Sequence, residues 1–246
     1  MGLRRFVEND VRNPHRLSLV KKGLKNPRHV LPYVVGRLFP NASFGPNWQR
    51  KNGVITWTDD WVWTSESVPD ISATDYHLYR TFRDLFDDRA VSTALEVGCG
   101  YGRILPWIAE ATGAEVRGID ANPDAISTAR NHYPEFAFET ENAADLSAPD
   151  DSFDLVVTRT VLQHVPPGEI ESVMAEIERV LASGGWVLSM ENTLGDEGGP
   201  STWSRSVDEY GEMLPGCELV EVRDYDYPHL SRPEKELFLF RATSGA

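Results

Sequence analysis

Glu96, Gly98, Gly100 and Gly102 stand at alternate positions in the stretch ALEVGCGYGRIL, residues 94–105. A short apolar run passing straight into an amphipathic segment predicts a strand that turns tightly into a helix. Glycines suit such a turn because the backbone must take positive φ, and because a ligand must approach the main chain more closely than a Cβ allows. The chemistry implied is the docking of a flat, polar molecule. Asp120 follows 22 residues after Gly98, at the end of a strand predicted over Glu115–Ile119. In nucleoside-binding α/β sheets, an acidic side chain at that distance accepts hydrogen bonds from ribose hydroxyls. Its other reading is a helix cap for residues 123–131, but Asn122 before Pro123 already supplies a cap with proline at the first helical position. The spacing departs from the dinucleotide pattern G-x-G-x-x-G by lacking the third glycine, which lets a pyrophosphate sit on the helix N-terminus.

Those side chains need elements to hold them. Phe136–Glu139 and Phe153–Thr158 read as further strands, the second an apolar run suited to burial on both faces. From Glu169 to Ala182, Ile170, Val173, Met174, Ile177, Val180 and Leu181 recur at spacings of three and four, which predicts a helix with one face on a sheet. Ser183-Gly184-Gly185 is expected to end it through a left-handed glycine and lead into a strand at Trp186–Met190. Two more strands, over 218–226 and 236–241, are joined by only about ten residues, too few for a crossover helix, so the last should run antiparallel to its neighbour. Upstream, Leu78, Tyr79, Phe82, Leu85 and Phe86 give residues 73–86 the apolar face of a helix, begun by a capping-box-like Ser72-Ala73-Thr74-Asp75.

In order, the glycine turn, Asp120, Asn142-Ala143-Ala144-Asp145-Leu146 and Thr160–Pro166 after the fourth strand resemble the motifs of the class I methyltransferases, which bind S-adenosylmethionine. The resemblance covers roughly residues 90 to 242. It implies an α/β, Rossmann-like sheet of strand order 3-2-1-4-5-7-6 with an antiparallel last strand, and ligands at the carboxyl ends near strands 1 and 4. It also implies that Glu96, Gly98, Gly100, Gly102, Asp120, Ala121, Ala144, Asp145 and Thr158 bind the cofactor, with Asp145 at the adenine amino group. His164 becomes the candidate base, since its imidazole titrates near neutrality; a structural role for it is the other reading. His229 and His77 are the fallbacks. Glu191-Asn192 is similar to the acidic-Asn pair of magnesium-dependent O-methyltransferases, but Thr158-Arg159-Thr160 stands where the matching carboxylate belongs, so no metal is expected. Base amino-group methylation lacks its Pro-Pro-aromatic motif after strand four, and cytosine C5 methylation lacks its cysteine there, which makes both chemistries poor fits.

Substrate selection in this family usually comes from an N-terminal addition. Trp48, Trp57, Trp61 and Trp63 are four of seven tryptophans within sixteen positions, and Trp61 and Trp63 are candidate stacking faces for a sugar; filling a small core is their other reading. Arg205 would suit a carboxylate-bearing acceptor such as a uronic acid. The expected organisation is a basic arm at 1–51, a tryptophan-rich lid and helix at 52–89, and a cofactor-binding domain at 90–246.

Composition sets the frame. The chain has 246 residues, 41% hydrophobic, with a net charge of −14. Residues 1–51 carry eleven Lys or Arg against Glu8 and Asp10, a net of +9 that leaves −23 for the rest. An acidic body with only five lysines suggests a halophile, where carboxylates keep a protein hydrated in salt; an Arg-rich GC-biased genome is the alternative. Arg4, Arg5, Lys21, Lys22 and Lys25 before Val30–Phe39 fit an arm that touches an anionic membrane, and RNA or the acidic body are its other partners. Cys99 and Cys217 form neither a disulfide framework nor a zinc pattern, no secretory h-region is evident, and Phe6 argues against myristoylation. The expected location is the cytoplasm, with peripheral contact at the inner membrane face. The expected activity is O-methylation of a sugar, within a lipid-linked surface glycan; a quinone-type or other small molecule, and the ribose of an RNA, are the alternative acceptors.

Overall fold

Apolar strands buried on both faces at the centre of the chain, alternating with helices that carry a single apolar stripe, wind as a parallel sheet between helical layers. The computed structural model describes residues 48–51, 54–57, 73–193, 202–224 and 235–243. In chain order, β1 (Trp48–Lys51) and β2 (Val54–Trp57) pair as an antiparallel hairpin with Trp48 opposite Trp57. Helix α1 (Ala73–Phe86) comes next, then β3 (Thr93–Val97), α2 (Leu105–Thr112), β4 (Glu115–Asp120), α3 (Pro123–His132) and β5 (Ala137–Thr140). After β6 (Phe153–Arg159) come a 3-10 turn (Leu162–His164), α4 (Ile170–Val180), β7 (Leu181–Asn192), α5 (Val207–Glu212), β8 (Cys217–Asp224) and β9 (Lys235–Ala242).

The sheet order is β5-β4-β3-β6-β7-β9-β8. Counted from β3 as the first strand, this is the expected 3-2-1-4-5-7-6. Strands β3 to β7 pair in parallel, while β9 runs antiparallel to both β7 and β8, as the short link between the last two strands requires. Successive residues therefore alternate between two cores. Ala94, Leu155, Val157, Leu188 and Leu239 face Leu78, Phe82 and Leu85 of α1, Leu105 and Ile108 of α2 and Ile126 of α3. Leu95, Val97, Val156, Val187 and Phe238 face Val173, Met174 and Ile177 of α4 and Tyr210 of α5. Burial of each Val, Leu, Ile, Phe or Met side chain among them contributes about 1.5–3 kcal/mol. Helix α1, expected within the 52–89 lid segment, packs in the helical layer on the sheet, with Tyr79 against Trp107 at 5.7 Å between ring centroids.

One boundary differs from expectation. Helix α4 stops at Val180 because Leu181 turns extended and pairs with Phe153, while Ser152 N donates to the Val180 carbonyl at 2.9 Å. The left-handed Gly184, φ +74°, therefore lies within an irregular start of β7 and does not cap the helix. At the outer rim, β8 carries exposed Leu219, Val220 and Val222 and a register shift between Leu219 and Glu221. Among the described residues, no helix is long and apolar enough to cross a membrane.

Candidate active site

The reversal of strand order between β3 and β6 opens a crevice at the carboxyl ends of the sheet, where a ligand can reach main chain from two directions. Leaving β3, the chain makes Cys99 N donate to the Ile119 carbonyl at 2.8 Å and Gly102 N to the Cys99 carbonyl at 2.9 Å. Gly98, Gly100 and Gly102 all take left-handed φ, of +70°, +55° and +77°. Their surroundings differ. A Cβ on Gly98 would lie 2.3 Å from Val161 Cγ2, and one on Gly102 would lie 2.6 Å from Phe138 Cζ, whereas one on Gly100 would meet none of the described residues within 4 Å. Protein packing thus adds to the backbone demand at Gly98 and Gly102. Among the described residues, Gly100 is the one of these three whose outer face is left open to a ligand.

Asp120, at the end of β4, holds this turn in place. Its Oδ2 accepts from Gly100 N at 2.9 Å and its Oδ1 from Asn122 N at 2.8 Å. Each carboxylate oxygen retains capacity for one more donor. Burial raises the Asp120 carboxyl above its usual range, opposed by the two backbone donors. Asn122 caps α3 as expected, accepting from Asp124 N and Ala125 N, so Asp120 is not needed as a cap. Beneath the turn, Glu96 is 4% exposed and its Oε2 has no hydrogen-bond partner among the described residues. Burial pushes its carboxyl well up, Arg159 and Arg103 pull it back, and Asp120 adds to the rise. A buried, unpartnered carboxylate oxygen below an open glycine turn suits a cationic amino group of a ligand.

The opposite wall is the turn after β6. Thr160 takes φ +56°, rare for a β-branched residue, and its N–H donates to the Met190 carbonyl at 2.9 Å. Glu191, with no exposed surface, secures the turn. Its Oε1 accepts from Val161 N and from the Thr158 hydroxyl, both at 3.1 Å, and its Oε2 accepts from Gln163 N at 3.2 Å. Both oxygens are thereby bonded to this chain, so the likeness of Glu191-Asn192 to a magnesium pair does not extend to geometry. Among the described residues, no group of three or more His, Cys, Asp or Glu could hold a metal. The same turn disposes of the expected role of Arg205: buried, it donates through Nη1 to the Leu162 carbonyl at 3.0 Å and through Nη2 to the Val165 carbonyl at 2.7 Å. Arg205 ties the turn to the segment before α5 and presents no open guanidinium to an acceptor.

His164 ends this turn, half-buried, with Nε2 3.0 Å from Gln163 Nε2. Thr158 is fully buried, and its hydroxyl also lies 2.9 Å from Ser189 Oγ, so the side chain supports the wall from below. Ala121 and Ala144 are half-buried, Asp145 is exposed, and the Ala144 and Asp145 loop closes through Asp145 N to the Asn142 carbonyl at 2.9 Å. His77 lies in α1 but its side chain, like Trp61, Trp63 and His229, lies outside the described residues, as do the basic arm through residue 47 and residues 194–201. Gln163 and the structural duty of Glu191 were not legible from residue type. The available signal was weak: a polar residue beside His164 and an acid ending an apolar strand.

Residues 94–185 match the methyltransferase domain family. The chain is 29% identical over 134 residues to an uncharacterized methyltransferase of Synechocystis sp., covering 53% of this chain and 63% of that protein. It is 31% identical over 160 residues to a ubiquinone biosynthesis O-methyltransferase of Burkholderia orbicola, covering 61% and 62% respectively. The chain thus spans less than two thirds of either relative. Among solved structures, the N-methyltransferase NodS of Bradyrhizobium japonicum, in complex with S-adenosyl-L-homocysteine, shares the fold with a TM-score of 0.58 at 20% identity, covering 70% of this chain and 89% of that one.

Proposed function

With residues 94–185 belonging to the methyltransferase domain family and the sheet wound in the class I order, we propose that this chain transfers a methyl group from S-adenosylmethionine to an oxygen of a small-molecule acceptor. The observation that carries the reading is the pairing of the open Gly100 turn with the unpartnered Glu96 oxygen beneath it. Bound there, the cofactor supplies an electrophilic methyl group on a sulfonium. Glu96 would hold the amino group of its methionine part, and the second lone pairs on Asp120 would accept from the ribose hydroxyls. Ala121, Ala144 and Asp145 would hold the base. Because Thr158 is committed to Ser189 and Glu191, it acts by supporting the wall. His164 is the candidate base for the proton that an acceptor hydroxyl must lose.

Two acceptor classes compete. The ubiquinone-pathway relative favours a phenol of the quinone type, whose proton leaves more readily than that of an alcohol. A sugar hydroxyl is the second reading, carried by the tryptophans around Trp61 and Trp63; the uronic acid variant loses its support because Arg205 is buried against carbonyls. A membrane-proximal acceptor would agree with the basic, apolar arm. Calorimetry of the full chain with S-adenosylmethionine and its demethylated product tests the cofactor: no heat of association in either titration refutes the proposal. Methyl-labelled cofactor incubated with separated lipid, metabolite and RNA pools then distinguishes acceptors, with label expected in the quinone-type phenols. Label confined to RNA would refute the small-molecule reading.

A further inference from the structure

His164 and Gln163 are adjacent in sequence and bonded through their side chains, and the surrounding main chain dictates which atom donates. Gln163 is buried, and its Oε1 accepts from Asn192 N at 2.9 Å. That contact settles the amide orientation, since a flipped amide would set its N–H groups against the Asn192 N–H. The Gln163 Nε2 group is therefore the one facing His164 Nε2 at 3.0 Å. An amide nitrogen can only donate, so the imidazole nitrogen it meets must offer a lone pair. The arrangement is held from four sides. Glu191 Oε2 accepts from Gln163 N at 3.2 Å, the Gln163 carbonyl accepts from Trp203 N at 2.7 Å, Arg205 binds the flanking Leu162 and Val165 carbonyls, and His164 N donates to the Val161 carbonyl at 2.9 Å.

We infer that Gln163 is a positioning residue that fixes His164 as the neutral ring with its proton on Nδ1, committing the Nε2 lone pair to the amide. The bearing of this on methyl transfer rests on the function proposed above. A proton passing from an acceptor hydroxyl to Nε2 must displace the Gln163 N–H from that lone pair, because a protonated Nε2 would point one donor at another. His164 is consequently a base that works only when this bond opens. Acceptors whose hydroxyl is already acidic, such as phenols, suit that site better than a sugar alcohol.

The test is nitrogen NMR of the full chain labelled with 15N-histidine, without added cofactor, the His164 signals being identified among the six histidines by their loss in His164→Asn. The expected wild-type spectrum at neutral pH shows one-bond proton coupling on Nδ1 of His164 and an unprotonated shift on Nε2. Gln163→Met, which removes the donor at similar length, should move the ring toward the Nε2–H form, and Gln163→Glu should place the proton on Nε2. A wild-type ring protonated on Nε2 overturns the inference, as does a folded Gln163→Met protein whose His164 signals match wild type. The wild-type spectrum decides alone if the variants do not fold. A chain that shows the Nδ1–H ring yet gives no heat with S-adenosylmethionine keeps this inference and refutes the function; the reverse pair of results does the opposite.

Discussion

Replacing Gly98 by alanine separates two demands that the glycine turn combines. At Gly100, where an added Cβ meets nothing within 4 Å, Gly100→Ala incurs only the left-handed backbone at φ +55°. That costs about 1–2 kcal/mol, offset by about 0.4–1 kcal/mol from the stiffer unfolded chain. The net is about 1 kcal/mol. Gly98→Ala has the same backbone term at φ +70°, and its Cβ also falls 2.3 Å from Val161 Cγ2 and 2.9 Å from Cγ1. Overpacking of this kind costs about 1–3 kcal/mol, so the total should reach about 2–4 kcal/mol. Val161→Ala removes both offending carbons. In the double variant the overpacking should be largely relieved while the backbone cost stays, giving a favourable coupling of about 1–2 kcal/mol. The assay is urea unfolding of the four proteins followed by circular dichroism, with calorimetry for S-adenosylhomocysteine on each. Additivity within about 0.5 kcal/mol, or equal losses for Gly98→Ala and Gly100→Ala, refutes the claim that the post-β6 turn packs directly on the glycine turn.

Glu96→Gln should stabilise the unliganded protein at neutral pH, since it removes a buried carboxylate with an unpartnered oxygen, and should weaken cofactor binding by about tenfold to a hundredfold through loss of a charge-assisted bond. Because burial raises the Glu96 carboxyl in the folded state, folded protein holds that proton more tightly, so stability falls as pH climbs from the ordinary carboxylate range to the raised value; melting curves across that window should flatten in Glu96→Gln. Arg205→Lys should destabilise by about 1–3 kcal/mol, because an ammonium cannot span the Leu162 and Val165 carbonyls as the guanidinium fork does; thermal melts check this, and an unchanged midpoint would refute that bracing role. Thr160→Gly should raise stability by up to about 1 kcal/mol at φ +56°, and chemical unfolding that shows a loss would deny any strain there.

Much of the frame was legible because it depends on local pattern. The strand order came with the class I methyltransferase resemblance that four motifs in sequence carry, while the antiparallel last pair follows from a link too short for a helix. The Asn122-Pro123 start of α3 was readable for the same reason, since the cap and the residue it caps are neighbours. What failed was decided by distant partners. The end of α4 depends on Leu181 pairing with Phe153, which no local glycine rule contains. Glu191 has the residue type of a metal ligand, yet it is spent on Val161 N, Gln163 N and Thr158, contacts 28 to 33 positions away. Arg205 likewise meets carbonyls about forty residues upstream. Residue type shows what a side chain can do, and the fold decides whether it is free to do it.

The register shift in β8 has a consequence for how this protein behaves in a crowded solution. A straight outer strand bearing Leu219, Val220 and Val222 would offer another molecule a continuous template of main-chain donors and apolar side chains, the usual seed of fibril growth. With Leu219 opposite Phe240 and Glu221 opposite Leu239, Val220 becomes the surplus residue that kinks this rim. Deleting it would straighten the strand and open this rim to edge-to-edge pairing with a second copy.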